Sequence, residues 1–179
     1  MSLFGDVVRV LEREGVRHAL IGAAALAVRG VSRSTADVDL LTVDAKVLDE
    51  ALWAEFASRA TGLRLLKGEF DDPLAGSVRL SEGDEITDVV VGRFDWQREI
   101  IESAQALPLG ALSVPVARSE GLILLKLHAG GPKDAWDIRS LLDAVDDPAH
   151  VASEVERALP RLPTAARQLW SRLRSEDGS

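Results

Sequence analysis

The chain has 179 residues, 46% of them hydrophobic and 28% charged, which suits one soluble domain with a real core. It contains no cysteine, so disulfides, thiolate zinc sites and cysteine nucleophiles are excluded, and its three histidines are too scattered for a histidine metal cluster. A net charge of −8 argues against a DNA-binding module as the main role, although a nucleic-acid substrate remains open to a local basic patch. The N-terminus has no basic region followed by an apolar run, and no apolar stretch is long enough to span a bilayer, so the expected location is cytoplasmic.

In chain order, Leu3, Val7, Val10 and Leu11 repeat with helical spacing and predict a helix from Leu3 to Arg13, closed by Gly15. His18 to Ile21 reads as a short strand, Gly22 to Val28 as a small-residue helix ended by Gly30, and Asp37 to Val43 as a strand. Asp44 is expected to cap a helix running to about Ala60. Leu63 to Leu66, Ser77 to Leu80 and Ile86 to Val91 read as strands, separated by turns at Asp71-Asp72-Pro73 and Glu82-Gly83-Asp84. Asp95 to Ala104 reads as a helix, and Leu112 to Val116 as a strand that Pro115 assigns to a sheet edge. Ser119 is expected to cap a helix from Glu120 to His128, which Gly130-Gly131-Pro132 breaks. Further helices are expected from Lys133 to about Val145, from Asp147-Pro148 to near Leu159, and after Pro163 to near Leu173, with Ser175 to Ser179 frayed. The fold class expected is α/β (α+β): a mixed-sheet core over residues 1–118, with a helical portion over 119–179 packed on it as one unit.

The chemistry concentrates in Arg33-Ser-Thr-Ala-Asp37-Val-Asp39-Leu-Leu. Positions i and i+2 of a strand share a face, so Asp37 and Asp39 point side by side. Like charges held this close need something positive between them, and paired carboxylates on a rigid element suit Mg²⁺ bound together with phosphates. Gly22 follows a strand and opens a helix, where backbone N–H groups can meet a phosphate. Asp88 is a lone carboxylate on the apolar strand Ile86-Thr-Asp-Val-Val-Val91. Either it is paired or metal-bound, or it faces water from an edge strand.

Lys126 sits inside an apolar helical run, and Lys133 at a first helical turn, where positive charge opposes the dipole. These are two of only four lysines in the chain. Lys133 and Asp137 stand i,i+4. The bland readings are a snorkelling Lys126 and a surface pair of Lys133 with Asp137. Trp53, Trp96, Trp136 and Trp170 read as core or interface residues rather than base-stacking platforms, and His128 as a C-terminal helix residue meeting the dipole.

The strand, Gly and small-residue helix, followed by Arg-x-Thr-x-Asp-x-Asp and a later Asp on an apolar strand, resemble the nucleotidyltransferase fold of the DNA polymerase β type. Lys126 to Leu142 resembles the C-terminal motif of its minimal bacterial relatives, among them toxins of abortive-infection and type IV toxin–antitoxin systems. The resemblance implies a nucleotidyltransferase-like mixed sheet. It implies that Asp37 and Asp39 hold Mg²⁺ against an NTP triphosphate, with Asp88 as the third carboxylate, sharing a metal or acting as base. Gly22, Ala23, Arg33, Thr35, Lys126, Lys133 and Asp137 would form the nucleotide site. The implied reaction moves a nucleoside monophosphate, as from ATP, to an RNA such as tRNA or to a protein hydroxyl, and a cognate toxin or antitoxin would be the partner. The chain departs from the family at Ala23, which lacks the phosphate-loop hydroxyl, and at Gly131, where relatives carry Arg. The alternative is a non-catalytic member serving as antitoxin or nucleotide-binding regulator. A phosphohydrolase is disfavoured because His18, His128 and His150 lie outside the Asp motifs.

Overall fold

The computed structural model describes residues 2–32, 37–57, 59, 61–69 and 72–176. They gather into two compact units, Met1–Ala25 with Arg33–Ala117, and Leu26–Ser32 with Arg118–Ser179.

In the first unit, α1 (Leu3–Arg13) starts where the Ser2 hydroxyl accepts from Gly5 N at 3.2 Å, a cap that contributes about 1 kcal/mol. Its stripe of Val7, Val10 and Leu11 is fully buried. After Gly15, whose φ of 66° suits only glycine comfortably, the chain enters β1 (His18–Ile21) and α2 (Gly22–Val28). Strand β2 (Asp37–Thr42) follows, then β3 (Gly62–Lys67), β4 (Leu74–Glu82), β5 (Glu85–Gly92), α3 (Asp95–Glu102), β6 (Gln105–Leu109) and β7 (Leu112–Val116). One seven-stranded mixed sheet results, in the order β3-β4-β5-β2-β1-β7-β6. Strand β2 runs parallel to β5 and antiparallel to β1, and β7 runs parallel to β1. Leu20, Leu40, Leu41, Val78, Leu80 and Val89 are fully buried within this sheet, each contributing about 1.5–3 kcal/mol of apolar burial.

Two expectations fail here. The helix expected from Asp44 to Ala60 is instead two 3₁₀ segments, Ala45–Leu48 and Glu50–Phe56. Asp49 interrupts them in an extended conformation and recaps the chain by accepting from Ala51 N at 3.0 Å. Trp53 Nε1 donates to Val47 O at 2.7 Å, which anchors this irregular stretch in the core. Strand β7 is not an edge: β6, which the sequence reading left out, pairs with it beyond the Gly110 turn. Pro115 is tolerated inside because the registered pairing with β1 is confined to Leu20 opposite Val116, one residue later. The edge positions belong to β3 and β6.

The second unit carries α4 (Ser119–Ala129), α5 (Pro132–Ala144), α6 (Pro148–Ala158), a 3₁₀ turn at Leu159–Arg161 and α7 (Thr164–Glu176). Ser119 is the first residue of α4 rather than its cap, which is Arg118 without a side-chain bond. Gly130 ends α4 at φ 64°, and Pro132 opens α5 with Asp134 accepting from Gly131 N at 2.7 Å. Asp147 caps α6 by accepting from His150 N at 2.9 Å. Helix α7 continues to Glu176, past the expected end near Leu173.

Candidate functional site

The first half of β2 emerges from the core: Asp37, Val38 and Asp39 are half-buried, whereas Leu40, Leu41 and Thr42 are buried. The site therefore sits where the strand enters the sheet. Asp37 and Asp39 share a face, as the alternation requires. In the parallel ladder Asp39 stands opposite Asp88, so the third carboxylate joins that face. Strand β5 lies between β4 and β2, and Asp88 is buried, which removes the reading of a water-facing edge residue.

On the other side of β2, Asp39 pairs with Ile21, the last residue of β1. This brings the Gly22 turn against the Asp39 carboxylate. A Cβ on Gly22 would overlap that carboxylate, 2.8 Å from its Cγ, and φ is 66°. The glycine is thus required twice, for conformation and for room. Helix α2 spans only seven residues, so Gly22 matters here through space more than through a helix dipole. Ala23 is half-buried in its first turn.

The cation facing the carboxylates is Arg79 of β4, which the sequence reading did not single out. Its Nε donates to Asp88 Oδ1 at 2.8 Å and its Nη2 to Asp88 Oδ2 at 2.7 Å, a two-pronged pair. The same Nη2 lies 3.7 Å from Asp37 Oδ2. These bonds to Asp88, with the charges of Asp88, Asp37 and Asp39, hold the guanidinium's pKa above its ordinary value. The Arg79 side chain remains 49% exposed while Asp88 is 12% exposed. A local signal exists for this partner. The Gly83-Asp84 turn joins Glu82 to Glu85, and counting back from it sets Arg79 opposite Asp88.

The second unit holds its own ion cluster. Lys126 of α4 reaches Asp137 at 2.7 Å and Asp134 at 2.9 Å on α5. Burial pulls the Lys126 pKa down, but hydrogen bonds to Asp137 and Asp134 outweigh it and leave the amine above its usual value. The bland alternative, a surface pair of Lys133 with Asp137, is not the arrangement found. Asp137 is fully buried with Lys126, and Lys133 is exposed at the margin of the stripe formed by Asp134, Asp137, Ile138 and Leu141. Asp134 is a member the sequence reading missed; its spacing from Gly131 as a first-turn acid was the available signal. The four tryptophans expected in the core or at an interface divide. Trp53, Trp96 and Trp170 are buried, but Trp136 is 52% exposed, because it lies about 200° around α5 from Asp134. Burial lowers the His128 pKa, which disfavours the imidazolium that a dipole contact would use. Arg33 and Thr35 lie outside the described residues.

A family model described as "Nucleotidyl transferase of unknown function (DUF2204)" matches residues 2–173. The chain belongs to that family. Among curated proteins, none matches this nucleotidyl transferase family member. Among solved structures, the antibiotic-resistance factor ANT(2'')-Ia superposes with a TM-score of 0.56 at 17% identity, over 98% of this chain and 91% of that one. An antigenic nucleotidyltransferase-like protein from Paracoccidioides brasiliensis gives 0.49 at 18% identity over 90% and 88%. The lincosamide adenylyltransferase LnuA gives 0.46 at 15% over 79% and 96%. The first of these likenesses establishes the nucleotidyltransferase-like fold.

The donor set of this family member fits a hard divalent cation. All three side chains at the β2–β5 face offer carboxylate oxygens, and the Gly22 turn leaves the Asp39 carboxylate its space. Among the described residues, no three acidic or histidine side chains close into a cage by themselves. The fit is of an open carboxylate pair, Asp37 and Asp39, completed by phosphate oxygens, with Asp88 engaged by Arg79.

Proposed function

We propose that this chain transfers a nucleoside monophosphate from an NTP to an acceptor hydroxyl. The observation that supports this best is the Asp37, Asp39 and Asp88 face beside the Gly22 turn, in a member of a nucleotidyl transferase family. Asp37 and Asp39 would hold Mg²⁺, which when bound neutralises phosphate charge. Asp88 takes the proton of the attacking hydroxyl as general base once Arg79 has turned away from it. The acceptor oxygen then bonds to the α-phosphorus, the bond from that phosphorus to the bridging oxygen breaks, and pyrophosphate leaves. Gly22 and Ala23 line the phosphate turn, and the sequence resemblance alone assigns Arg33 and Thr35, outside the described residues, to the nucleotide.

For Lys126, Lys133 and Asp137 a nucleotide-binding role rests on the sequence resemblance alone, and their weights differ. The Lys126 charge is already shared by two carboxylates, whereas Lys133 is exposed. The acceptor class proposed is an RNA, such as tRNA, or a protein hydroxyl, within an abortive-infection or toxin–antitoxin setting with a cognate partner protein. That setting rests on the sequence resemblance. Among the described residues no helix is long and apolar enough to cross a membrane, and the proposed location is the cytoplasm.

A second reading, a non-catalytic nucleotide-binding regulator or antitoxin, draws on Ala23, which brings no hydroxyl to phosphate, and on the hold of Arg79 over Asp88. One experiment separates the two. Labelled NTPs, Mg²⁺ and total tRNA or cell lysate are incubated with wild type and with Asp39→Ala. Label transfer that the substitution removes supports the enzyme, and the labelled species names the acceptor. Mg²⁺-dependent NTP binding without transfer moves the reading to the regulator.

A further inference from the structure

One row of paired residues crosses five strands: Ile21 opposite Asp39, Asp39 opposite Asp88, Asp88 opposite Arg79, and Arg79 opposite Arg64. Paired residues stand on one face, with Cβ atoms roughly 4.5–5.5 Å apart. The row therefore passes from two carboxylates directly to two guanidinium groups. Arg64 is exposed on the edge strand β3, and among the described residues its guanidinium makes no hydrogen bond or ion pair. On β4, Ser77 and Ser81 flank Arg79 on the same face and bring hydroxyls alongside.

This arrangement works against stability. Like charges directly opposite each other on a sheet destabilise it. Edge strands do gain protection from a charge. A glutamate at position 64 would give that protection and would also pair with Arg79. A second arginine is the choice that leaves positive charge unspent, and positive charge facing solvent in a chain of net charge −8 calls for an external anion. Arginine's planar fork suits phosphate.

We propose that Arg64 and Arg79 form a phosphate-binding arm that extends the carboxylate site along the sheet, taking a phosphate of the NTP or of a nucleic-acid acceptor. The proposal rests on the nucleotidyl-transfer reading of Asp37, Asp39 and Asp88. Arg79 is the exchanging member. Its guanidinium is half open to solvent and within reach of an incoming phosphate, whose charge must offset what the mostly buried Asp88 carboxylate loses. The move frees the Asp88 carboxylate at the moment a phosphate arrives. Arg64 is the fixed member and receives the phosphate first. Arg79 is a positioning residue toward Asp88 and a ligand toward the phosphate.

The test uses two probes on the full chain: inorganic tripolyphosphate with Mg²⁺, followed by calorimetry, and a short single-stranded RNA, followed by fluorescence anisotropy across salt concentrations. Wild type is compared with Arg64→Gln, Arg64→Glu and Asp39→Asn. Arg64→Gln should weaken at least one probe by about tenfold or more, the value of one charged hydrogen-bonding contact. Arg64→Glu should weaken it further and yet raise the melting temperature, because the new carboxylate pairs with Arg79. Gain of stability with loss of binding is a signature that a merely structural arginine does not produce. A loss confined to tripolyphosphate assigns the arm to the NTP. A loss confined to RNA, with the salt slope reduced by about one, assigns it to the acceptor backbone. Binding of both probes by both Arg64 variants at wild-type strength overturns the arm. If Asp39→Asn still removes the Mg²⁺ dependence in that case, the carboxylate reading survives alone. If Asp39→Asn changes nothing while Arg64→Gln weakens binding, the arm stands and the carboxylate reading falls. Failure of wild type to bind either probe overturns both.

Discussion

Among the described residues, each unit of this protein carries a small cluster of carboxylates with a cation, and the two clusters differ in burial. In the second unit Lys126 is 21% exposed and Asp137 is fully enclosed. In the first unit Arg79 is 49% exposed and Asp37 39%, with Asp88 at 12%. A cation closed in by buried acids is not reached from solvent, whereas a half-exposed guanidinium can meet an external anion. The Lys126 cluster therefore behaves as a rivet between α4 and α5, and the Arg79 cluster as a site in waiting. The same residue chemistry serves packing in one place and exchange in the other.

The largest expected effect is on activity. Asp39→Ala should lower nucleotidyl transfer roughly a thousandfold or more, since several kcal/mol of charge stabilisation depend on it. Its melting temperature should stay near wild type or rise, because a repelling carboxylate is gone. A melt and a transfer assay on the same preparation check this. A collapse in stability with the loss of transfer would make the first cluster structural, like the second.

Lys126→Met should do the opposite, costing roughly 3–5 kcal/mol of stability in urea unfolding by stranding Asp137. Adding Asp137→Leu should recover most of that loss. If the single substitution costs nothing, the rivet reading is wrong and the two clusters are alike. Gly22→Ala should destabilise by about 1–3 kcal/mol through its left-handed backbone. It should reduce transfer beyond what the stability loss explains, because the new methyl displaces the Asp39 carboxylate.

Arg79→Gln should cost about 1–3 kcal/mol in urea unfolding, less than Lys126→Met, because the Asp88 carboxylate it leaves without a guanidinium is mostly but not fully buried. A cost as large as that of Lys126→Met would remove the contrast with Lys126. The smallest effect concerns pH. Burial depresses the His128 pKa from 6.5, so the unfolded chain takes up this proton more readily than the folded one. The folded state is therefore favoured fully above pH 6.5, and that contribution is lost as pH falls below it. The urea midpoint should drop from pH 7.5 to 5.5, and His128→Gln should flatten part of the drop.

How much of the site was legible depended on the distance over which each signal acts. Asp37 and Asp39 were readable because two residues of one strand fix their common face, and Gly22 because a strand, a glycine and a small-residue helix follow one another. Asp88 was readable as a carboxylate on an apolar strand, but not as the neighbour of Asp39, which required the β2–β5 register. Arg79 was within reach of a local count back from the Gly83-Asp84 turn, whereas Arg64 looked like an ordinary polar position until the β3–β4 register set it in the row. Lys126 stood out for its apolar surroundings. Asp137 stood out only as a neighbour of Lys133 and Asp134 not at all, because an apolar helix names no acid until α5 is laid beside it.

The same division runs through the fold. By itself the chain determined most of the helix and strand positions, since caps, glycines, prolines and the two periodicities act within a few residues. The bounds of α1, β1, α2 and β7 follow from such local rules. Tertiary structure decided the rest. It recruited β6 and so moved β7 inside the sheet, and it broke the expected helix after Asp44 into two 3₁₀ turns around the Trp53 anchor. It turned Trp136 outward, and it chose which carboxylate meets which cation. The physical reason is common to all of these: pairing register and burial are properties of surfaces brought together from distant parts of the chain, and no short stretch of sequence contains both surfaces.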